Sequence, residues 1–517
     1  MKRRIKIGEW MVLCLFLSGC AGDYLDTAPE DQTGSAVVFE TTELAALAVN
    51  GLAKLMNTPF YYPDVQAPKT TDFGGEGSIK MLYGNWMGNH FVCSNKDSFD
   101  ALFKGTNYMS NTGSIYCYYP WWYYYMLIGN ANMIVAHISE ASGAEPERQR
   151  ILAQALTFRA YAYTMLAQLY CKRWSDSDEG ETPGVVLRLD NSYDSQALCT
   201  LKELYRQIYD DLDEAIGLFE VSGYRRPVDC NFLPDIHVAY ATYARAALNR
   251  ADYRSAATMA QKAREGHELM AAGEYVGGFN TPTSEWIWSS YNSGSESIGQ
   301  FAFLARIAYN SRIAEASKVK CISRELYRQI PPTDIRRALF LDPGQLAYST
   351  VTGKAGTDLI NKAKGLFPDI YSTMPVYAYM QFKFKATDVT GAGDVNHFRS
   401  SEMMLIEAEA KYFLKDEKGA REALIALTKD SGRDESYNCD KTGPALLAEI
   451  KLYRAIELWG EGFDWFDMKR WGDPIDRKSF DQGGNFTSRT GFVVSPADNN
   501  GWGWAIPDLE TDYNPEV

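Results

Sequence analysis

The sequence predicts an all-α-dominated protein, in which a helical repeat scaffold carries long irregular loop insertions and a few short strands. Apolar residues recur at helical spacing in several alanine-rich stretches, while strand-like alternation is sparse. Two of these stretches repeat one spacing of small residues. Long segments rich in Gly, Asn, Ser and aromatic residues separate the helices, and loops of that size in a compact protein usually serve a function.

The chain opens with a processing signal over residues 1–19. A basic segment precedes an apolar run that is too short to span a bilayer. The signal ends at Leu-Ser-Gly-Cys, residues 17–20, which resembles the lipobox of bacterial lipoproteins. We therefore expect Cys20 to become a lipidated N-terminus, since several acyl chains give stable membrane anchoring. Residues 20–34 form a polar tether, and residues 35–517 are predicted to form a single domain because no linker composition divides them.

The helical stretches share a register that can be counted. Ala244 is followed twelve residues later by Ala256, and Ala408 is followed twelve residues later by Ala420. Small residues at this spacing, one on each helix of a hairpin, let the helices approach closely, as in tetratricopeptide repeats. Such hairpins must stack to bury their second face. The predicted repeats lie near residues 147–270 and 399–470.

Composition and charge exclude several function classes. The chain has 66 Asp plus Glu and 52 Lys plus Arg, which gives a net charge of -14. It therefore lacks the excess of basic residues that is typical of nucleic-acid-binding proteins. The cysteines form no CxxC pair and the histidines are widely separated, so we predict no metal site and no cofactor. No nucleophile elbow, HExxH, P-loop or dinucleotide fingerprint is found, so we predict a non-enzyme without catalytic residues. Two-carboxylate glycosidase chemistry stays open, because it depends on spacing in three dimensions.

The carboxyl-terminal third carries the motifs of a known family. RSSE at residues 399–402, LIEAEA at 405–410, ELWGEG at 457–462 and DMKRWG at 467–472 resemble motifs of the SusD/RagB family of outer-membrane nutrient-binding lipoproteins. The ending WAIP at 504–507 is similar as well. Further matches, in order along the chain, lie at residues 125–132, 156–161, 208–215 and 284–288.

The resemblance implies a tetratricopeptide-like scaffold and a non-catalytic binding protein. Such a protein is anchored by lipid in the outer membrane, is exposed at the cell surface, captures an oligosaccharide, and delivers it to a SusC/RagA-like TonB-dependent transporter. Three alternatives stay open: a peptide-binding member of the same family, a helical-repeat scaffold lipoprotein without a small ligand, and a secreted glycoside hydrolase. The charged motif residues are expected to form ion pairs and caps in the helix bundle; they are Arg399, Glu402, Glu407, Glu409 and Arg454.

The loop insertions, near residues 57–118 and 271–398, carry the predicted ligand contacts. An indole or phenol ring covers the apolar face of a sugar, while amides and carboxylates bind its hydroxyl groups. The predicted binding residues are Trp86, Tyr83, Asp72, Asn85, Tyr291, Asn292 and Tyr309. The aromatic run YYPWWYYY at 118–125 leads directly into a predicted helix, so we interpret it mainly as core and helix packing.

Overall fold

The computed structural model describes residues 35–62, 69–93, 109–293, 299–316, 319–498 and 500–517. Helices dominate this part of the chain, which confirms the predicted fold class. The predicted signal peptide and the tether with Cys20 lie outside the described residues. Among the helices that are described, none is long and apolar enough to cross a membrane.

The longer helices are numbered α1 to α11. They are α1 (Thr42–Leu55), α2 (Ile115–His137), α3 (Glu145–Tyr170), α4 (Leu201–Ser222), α5 (Ile236–Asn249), α6 (Tyr253–Ala263), α7 (Thr357–Leu366), α8 (Ser400–Phe413), α9 (Glu417–Ile425), α10 (Gly443–Glu457) and α11 (Asp464–Trp471). Short helical turns lie at Ser35–Val38, Gly75–Ser78, Ala272–Tyr275, Phe303–Ile307, Arg312–Ala316, Arg324–Gln329 and Asp508–Thr511. Two π-helical segments lie at Ile79–Asn85 and Ala426–Asp430. The insertion 271–398 is therefore partly helical.

The strands form only small two-stranded antiparallel sheets in the described ranges. They are β1 (Pro59–Tyr62), β2 (Lys69–Gly74), β3 (Phe91–Cys93), β4 (Pro183–Val186), β5 (Leu198–Thr200), β6 (Trp286–Ser290), β7 (Lys320–Ile322), β8 (Val395–Arg399), β9 (Ile475–Asp476) and β10 (Val493–Val494). The pairs are β1–β2, β3–β7, β4–β5, β6–β8 and β9–β10. Two of these pairs, β3–β7 and β6–β8, join segments more than 100 residues apart, so they connect distant parts of the chain.

Local sequence sets several helix ends. The N-terminus of α4 is a capping box, in which the hydroxyl of Thr200 accepts from the backbone N–H of Glu203 and the Glu203 carboxylate accepts in return. The same helix ends at Gly223, which adopts the left-handed conformation that glycine tolerates best. Asp235 caps α5 by accepting from the backbone N–H groups of His237 and Val238.

The helical hairpins pack as the alanine register predicts. Helix α5 packs against α6, α8 packs against α9, and α6 packs against α8, so the two hairpins stack on each other. Ala244, Ala256, Ala408 and Ala420 have no exposed surface. A larger side chain at these crossings would separate the helices, because the interior is close-packed.

The charged motif residues form buried ion pairs, as the resemblance implies. The Arg399 guanidinium lies 2.7 Å from Glu285, 2.8 Å from Glu457 and 2.7 Å from Glu461. Arg336, Arg433 and Lys383 join the same carboxylates and Asp334, so four basic and four acidic groups balance. The remaining pairs are Glu402 with Arg245, Glu407 with Arg264, Glu409 with Arg470, and Arg454 with Asp467.

Candidate functional site

A cleft of about 880 Å³ lies beside α2. One face of α2, the segment 188–193 and the C-terminal segment 509–514 line it. Ligand pockets range from about 300 to 1,000 Å³, so this volume suits a ligand of several rings. Three smaller cavities among the described residues are near the size of one water molecule, about 20 Å³ each.

The face of α2 toward the cleft is an aromatic and apolar stripe. Its residues follow the helical repeat and are Tyr118, Trp122, Tyr125, Met126, Gly129 and Met133. The neighbouring residues Tyr119, Trp121 and Tyr124 are buried, although Trp121 also lines the cleft. A helix that is apolar all round is normally enclosed by protein. Here the rings on the cleft side, Trp122 among them, stay partly exposed.

Buried contacts fix the position of this stripe. The indole N–H of Trp121 donates to a Glu510 carboxylate oxygen at 3.0 Å. The hydroxyl of Tyr125 donates to the carbonyl of Val186 at 2.5 Å. The ring of Trp121 also meets the edge of Tyr170, with centroids 4.9 Å apart. The stripe therefore has its rotamers set by residues of α3, β4 and the C-terminal segment.

The segment 188–193 is held by the family motif residues. The amide of Asn132 donates to the carbonyls of Arg188 and Asp190, each at 3.1 Å. The Asn132 oxygen accepts from Arg159 at 2.9 Å, and Arg159 is paired with Asp211 at 2.6 Å. Three motifs that are far apart in sequence thus converge to shape one side of the cleft.

The C-terminal segment closes the other side. The backbone N–H of Gln196 donates to the Asn514 amide oxygen at 3.1 Å, and the Asn514 amide donates back to the Gln196 carbonyl at 2.8 Å. The same amide donates to Glu510 at 2.9 Å. A guanidinium nitrogen of Arg188 lies 4.0 Å from the Glu510 carboxylate. Glu510 therefore joins all three segments of the cleft.

Several groups in the cleft face solvent. Tyr193 is fully exposed and Tyr513 is 83% exposed, one on each side. Asp190 is exposed, and the backbone N–H of Ser192, which donates to its carboxylate, lowers its pKa below the ordinary value. Asn130 is exposed and its amide nitrogen donates to the carbonyl of Met126 at 2.8 Å. The cleft thus combines aromatic rings with open hydrogen-bonding oxygens.

Three of the predicted binding residues are in the core instead. Trp86 and Tyr83 have no exposed surface, and Asn85 is 1% exposed. The Tyr83 hydroxyl donates to the carbonyl of Tyr116, the group that loses its helical donor because Pro120 has no N–H. Asn85 donates to the carbonyl of Gly460 at 2.8 Å. A buried ring offers no face to a ligand, so Trp86 is a packing residue in this structure, contrary to the platform role expected from the sequence.

The other predicted residues lie apart from the cleft. Tyr291 keeps 49% of its surface exposed just beyond β6. Asn292 is buried, and its amide nitrogen and oxygen have no hydrogen-bond partner among the described residues. Tyr309 is 7% exposed and packs edge-on against Phe382, with centroids 5.2 Å apart. Asp72 belongs to β2, and its side chain falls outside the described part of the structure. Of the seven, only Tyr291 is shown with an open ring.

The cleft itself was missed by the sequence analysis, although its signal was visible. The run 118–125 was assigned mainly to helix packing. That is correct for Tyr119 and Tyr124, which are buried away from the cleft, whereas Trp121 is buried and also lines it. It is wrong for Trp122 and its neighbours on the same helical face, which line the cleft.

A buried serine–histidine pair lies between β6 and β8. The Ser290 hydroxyl is 2.5 Å from Nε2 of His397, and both residues are buried. Burial lowers the pKa of His397 well below its ordinary value, with Lys80 and Arg245 adding to the effect. Its Nδ1 has no hydrogen-bond partner among the described groups. The pair therefore lacks both an orienting acid and access for a substrate.

Comparison with known proteins identifies the family. Residues 23–248 match a SusD-like family described as starch-binding associating with outer membrane, and residues 308–515 match the SusD family. This chain is a SusD/RagB-like protein. No curated protein was found to be similar in sequence. The cleft described above is lined by residues that both family regions contribute, 118–193 from the first and 509–514 from the second.

Solved structures share the fold of this SusD/RagB-like protein. A SusD-like carbohydrate binding protein from Bacteroides vulgatus is 23% identical, with a TM-score of 0.72, and the match covers 93% of this chain and 98% of that one. A SusD superfamily protein from the same organism is 21% identical, with a TM-score of 0.71 and the same coverage. One from Bacteroides thetaiotaomicron is 20% identical, with a TM-score of 0.67, covering 92% of this chain and 99% of that one.

Proposed function

We propose that this protein is a cell-surface glycan-binding lipoprotein, which captures an oligosaccharide and delivers it to a SusC/RagA-like TonB-dependent transporter. Membership of the SusD-like family carries a general role in carbohydrate binding and nutrient uptake. Lipidation at Cys20 would tether the protein beside its transporter and raise the local concentration of the pair without any new contact.

The aromatic cleft is the observation that carries the glycan-binding part of the proposal. A pyranose has an apolar face of C–H groups, which a partly exposed indole such as Trp122 can cover. Its hydroxyl groups need partners, because a buried polar group without one costs about 1–3 kcal/mol. Asp190, Asn130 and the hydroxyl of Tyr513 lie in the same cleft and can supply them.

Isothermal titration of the detergent-solubilised protein tests the site. The best-retained glycan of a neutral and acidic panel is titrated into the wild type and Trp122→Ala, and the panel is also examined for cleavage. Truncation of a true platform residue costs on the order of 2 kcal/mol, which is roughly a thirtyfold loss of affinity. We expect that loss in Trp122→Ala, and retention of glycans without cleavage.

Two further variants keep the test decisive. Tyr513→Ala removes an exposed ring from the cleft and leaves the core untouched, so it tests the site even if Trp122→Ala folds poorly. Tyr291→Ala removes the exposed ring of the alternative loop site. If Tyr291→Ala weakens binding while both cleft variants bind normally, with circular dichroism unchanged, the cleft is not the glycan site.

The transporter part of the proposal has its own test. Affinity purification of the tagged protein from outer membranes in gentle detergent should recover a TonB-dependent barrel. Recovery of the protein alone would remove the support for delivery, while leaving glycan binding intact.

A further inference from the structure

Acidic side chains border the cleft on both sides. The segment 508–516 carries four acidic residues and no basic one, and the segment 188–194 carries two acidic residues and one arginine. The six acidic residues are Asp190, Asp194, Asp508, Glu510, Asp512 and Glu516. All except Glu510 are exposed, so they act on whatever approaches the cleft.

Among the described residues that line the cleft, Arg188 is the single basic one, and its guanidinium is already engaged. One nitrogen donates to the carbonyl of Asp194 at 3.1 Å. Another lies 4.0 Å from the Glu510 carboxylate, and both partners are largely shielded from solvent. Recognition of a carboxylate or sulfate favours a guanidinium that is free to bind in a bidentate way. Arg188 does not offer that geometry.

The carboxylate of Asp190 is an exposed hydrogen-bond acceptor in the lining of the cleft. The pKa of Asp190 lies below the ordinary value of an aspartate, because Ser192 donates its backbone N–H to the carboxylate. An ionised carboxylate only accepts hydrogen bonds, so it matches the hydroxyl groups of a neutral sugar and repels a uronate or sulfate.

We propose, on the basis of the glycan-binding function above, that this cleft takes uncharged oligosaccharides and excludes anionic glycans. The aromatic stripe of α2 binds the apolar faces of neutral sugars, and the Asp190 carboxylate accepts from their hydroxyl groups. A polyuronate or sulfated glycan meets like charge on both sides and finds no unengaged cation among the described lining residues. The cleft volume, about 880 Å³, fits an oligosaccharide of several rings.

A matched ligand pair tests this selectivity. The best-retained neutral glycan of the panel is compared with the same glycan oxidised at C6 to the uronate, by titration into the full-length protein in detergent. We expect the uronate to bind at least about tenfold more weakly at 20 mM salt. The gap should narrow at 500 mM salt, because the Debye length falls to a few ångströms and screens exposed charges.

Charge variants test the contribution of the acidic residues beside the cleft separately from that of the aromatic stripe. Asp194→Asn combined with Asp512→Asn removes two exposed charges that do not line the cleft, and should reduce the discrimination several-fold without changing neutral binding. Glu265→Gln combined with Glu422→Gln is the matched control, since both residues are exposed and neither lines the cleft. The control variant should discriminate as the wild type does.

The outcomes distinguish this inference from the proposed function. Equal or tighter binding of the uronate, weakened by Trp122→Ala, overturns the selectivity and leaves the glycan site in place. Discrimination that the double border variant leaves unchanged also overturns the electrostatic account. Absence of binding to either glycan overturns the inference together with the proposed function.

Discussion

Lys469 is a buried cation whose charge opposes folding at neutral pH. Its amine donates to the carbonyls of Gln168 and Leu169 at the C-terminus of α3, at 2.6 and 3.2 Å. The residue is 4% exposed and has no ion pair with any described carboxylate. Burial lowers the pKa of Lys469 from 10.5 to about 7, although the nearby Cys171 acts in the opposite direction. The protonated form is therefore costly to bury.

The magnitude and sign follow from these two pKa values. Below pH 7 the amine is protonated in both states and the full cost applies, on the order of 5 kcal/mol at 1.36 kcal/mol per pH unit. Between pH 7 and 10.5 the unfolded chain binds more protons than the folded one, so the free energy of unfolding rises with pH. From pH 7.5 to 9.5, Lys469 should contribute an increase of about 3 kcal/mol.

Urea denaturation of Lys469→Met isolates this contribution. Methionine keeps the length of the side chain but removes the charge and the two hydrogen bonds, and the loss of those bonds is a constant offset. The wild type minus variant difference in unfolding free energy should grow by about 3 kcal/mol between pH 7.5 and 9.5. Lys418→Met, at a side chain that is 81% exposed, is the control and should show a constant difference. A difference for Lys469→Met that stays constant or shrinks over this range would refute the reasoning.

Three further predictions concern the core, the cleft and the anchor. Arg399→Met should destabilise the protein by about 3–5 kcal/mol in urea denaturation, because it leaves the buried carboxylate of Glu457 with one cation fewer; a change below about 1 kcal/mol would contradict this. Glu510→Ala should speed hydrogen exchange in residues 508–517 and weaken glycan binding roughly tenfold, since it removes the acceptor of Trp121, and unchanged exchange would show that Glu510 does not hold the segment. Labelled fatty acid should enter the wild type but not Cys20→Ala, and equal labelling would end the lipid-anchor proposal.

The helical scaffold follows largely from local sequence. Alanines at Ala244 and Ala256 mark where two helices cross closely, because only a small side chain allows that approach. The capping box at Thr200 and the glycine at Gly223 set both ends of α4 without help from distant residues. The family motifs of the carboxyl-terminal third are likewise readable in order along the chain.

The sequence predicts that the charged residues of those motifs form ion pairs, but it does not predict which residues pair with each other. Arg399 was expected to pair within the helix bundle. One of its carboxylate partners, Glu285, is 114 residues away in the chain, directly before β6. The sequence indicates that Arg399 has a structural role. Its ion-pair partners are decided only when the insertion packs onto the helices.

The surface of the cleft is decided by tertiary structure. Trp121 and Trp122 are adjacent and both line the cleft, and nothing in their local sequence separates them, yet Trp121 is buried and Trp122 stays partly exposed. The buried Trp121 donates its indole N–H to Glu510, which is 389 residues away in the chain. In the same way Trp86 and Tyr83 occur in a Gly- and Asn-rich segment that looks like an open loop, but that segment packs into the core. An aromatic side chain can pack in the core or remain open to solvent. Which of the two occurs depends on whether distant segments of the chain cover the ring.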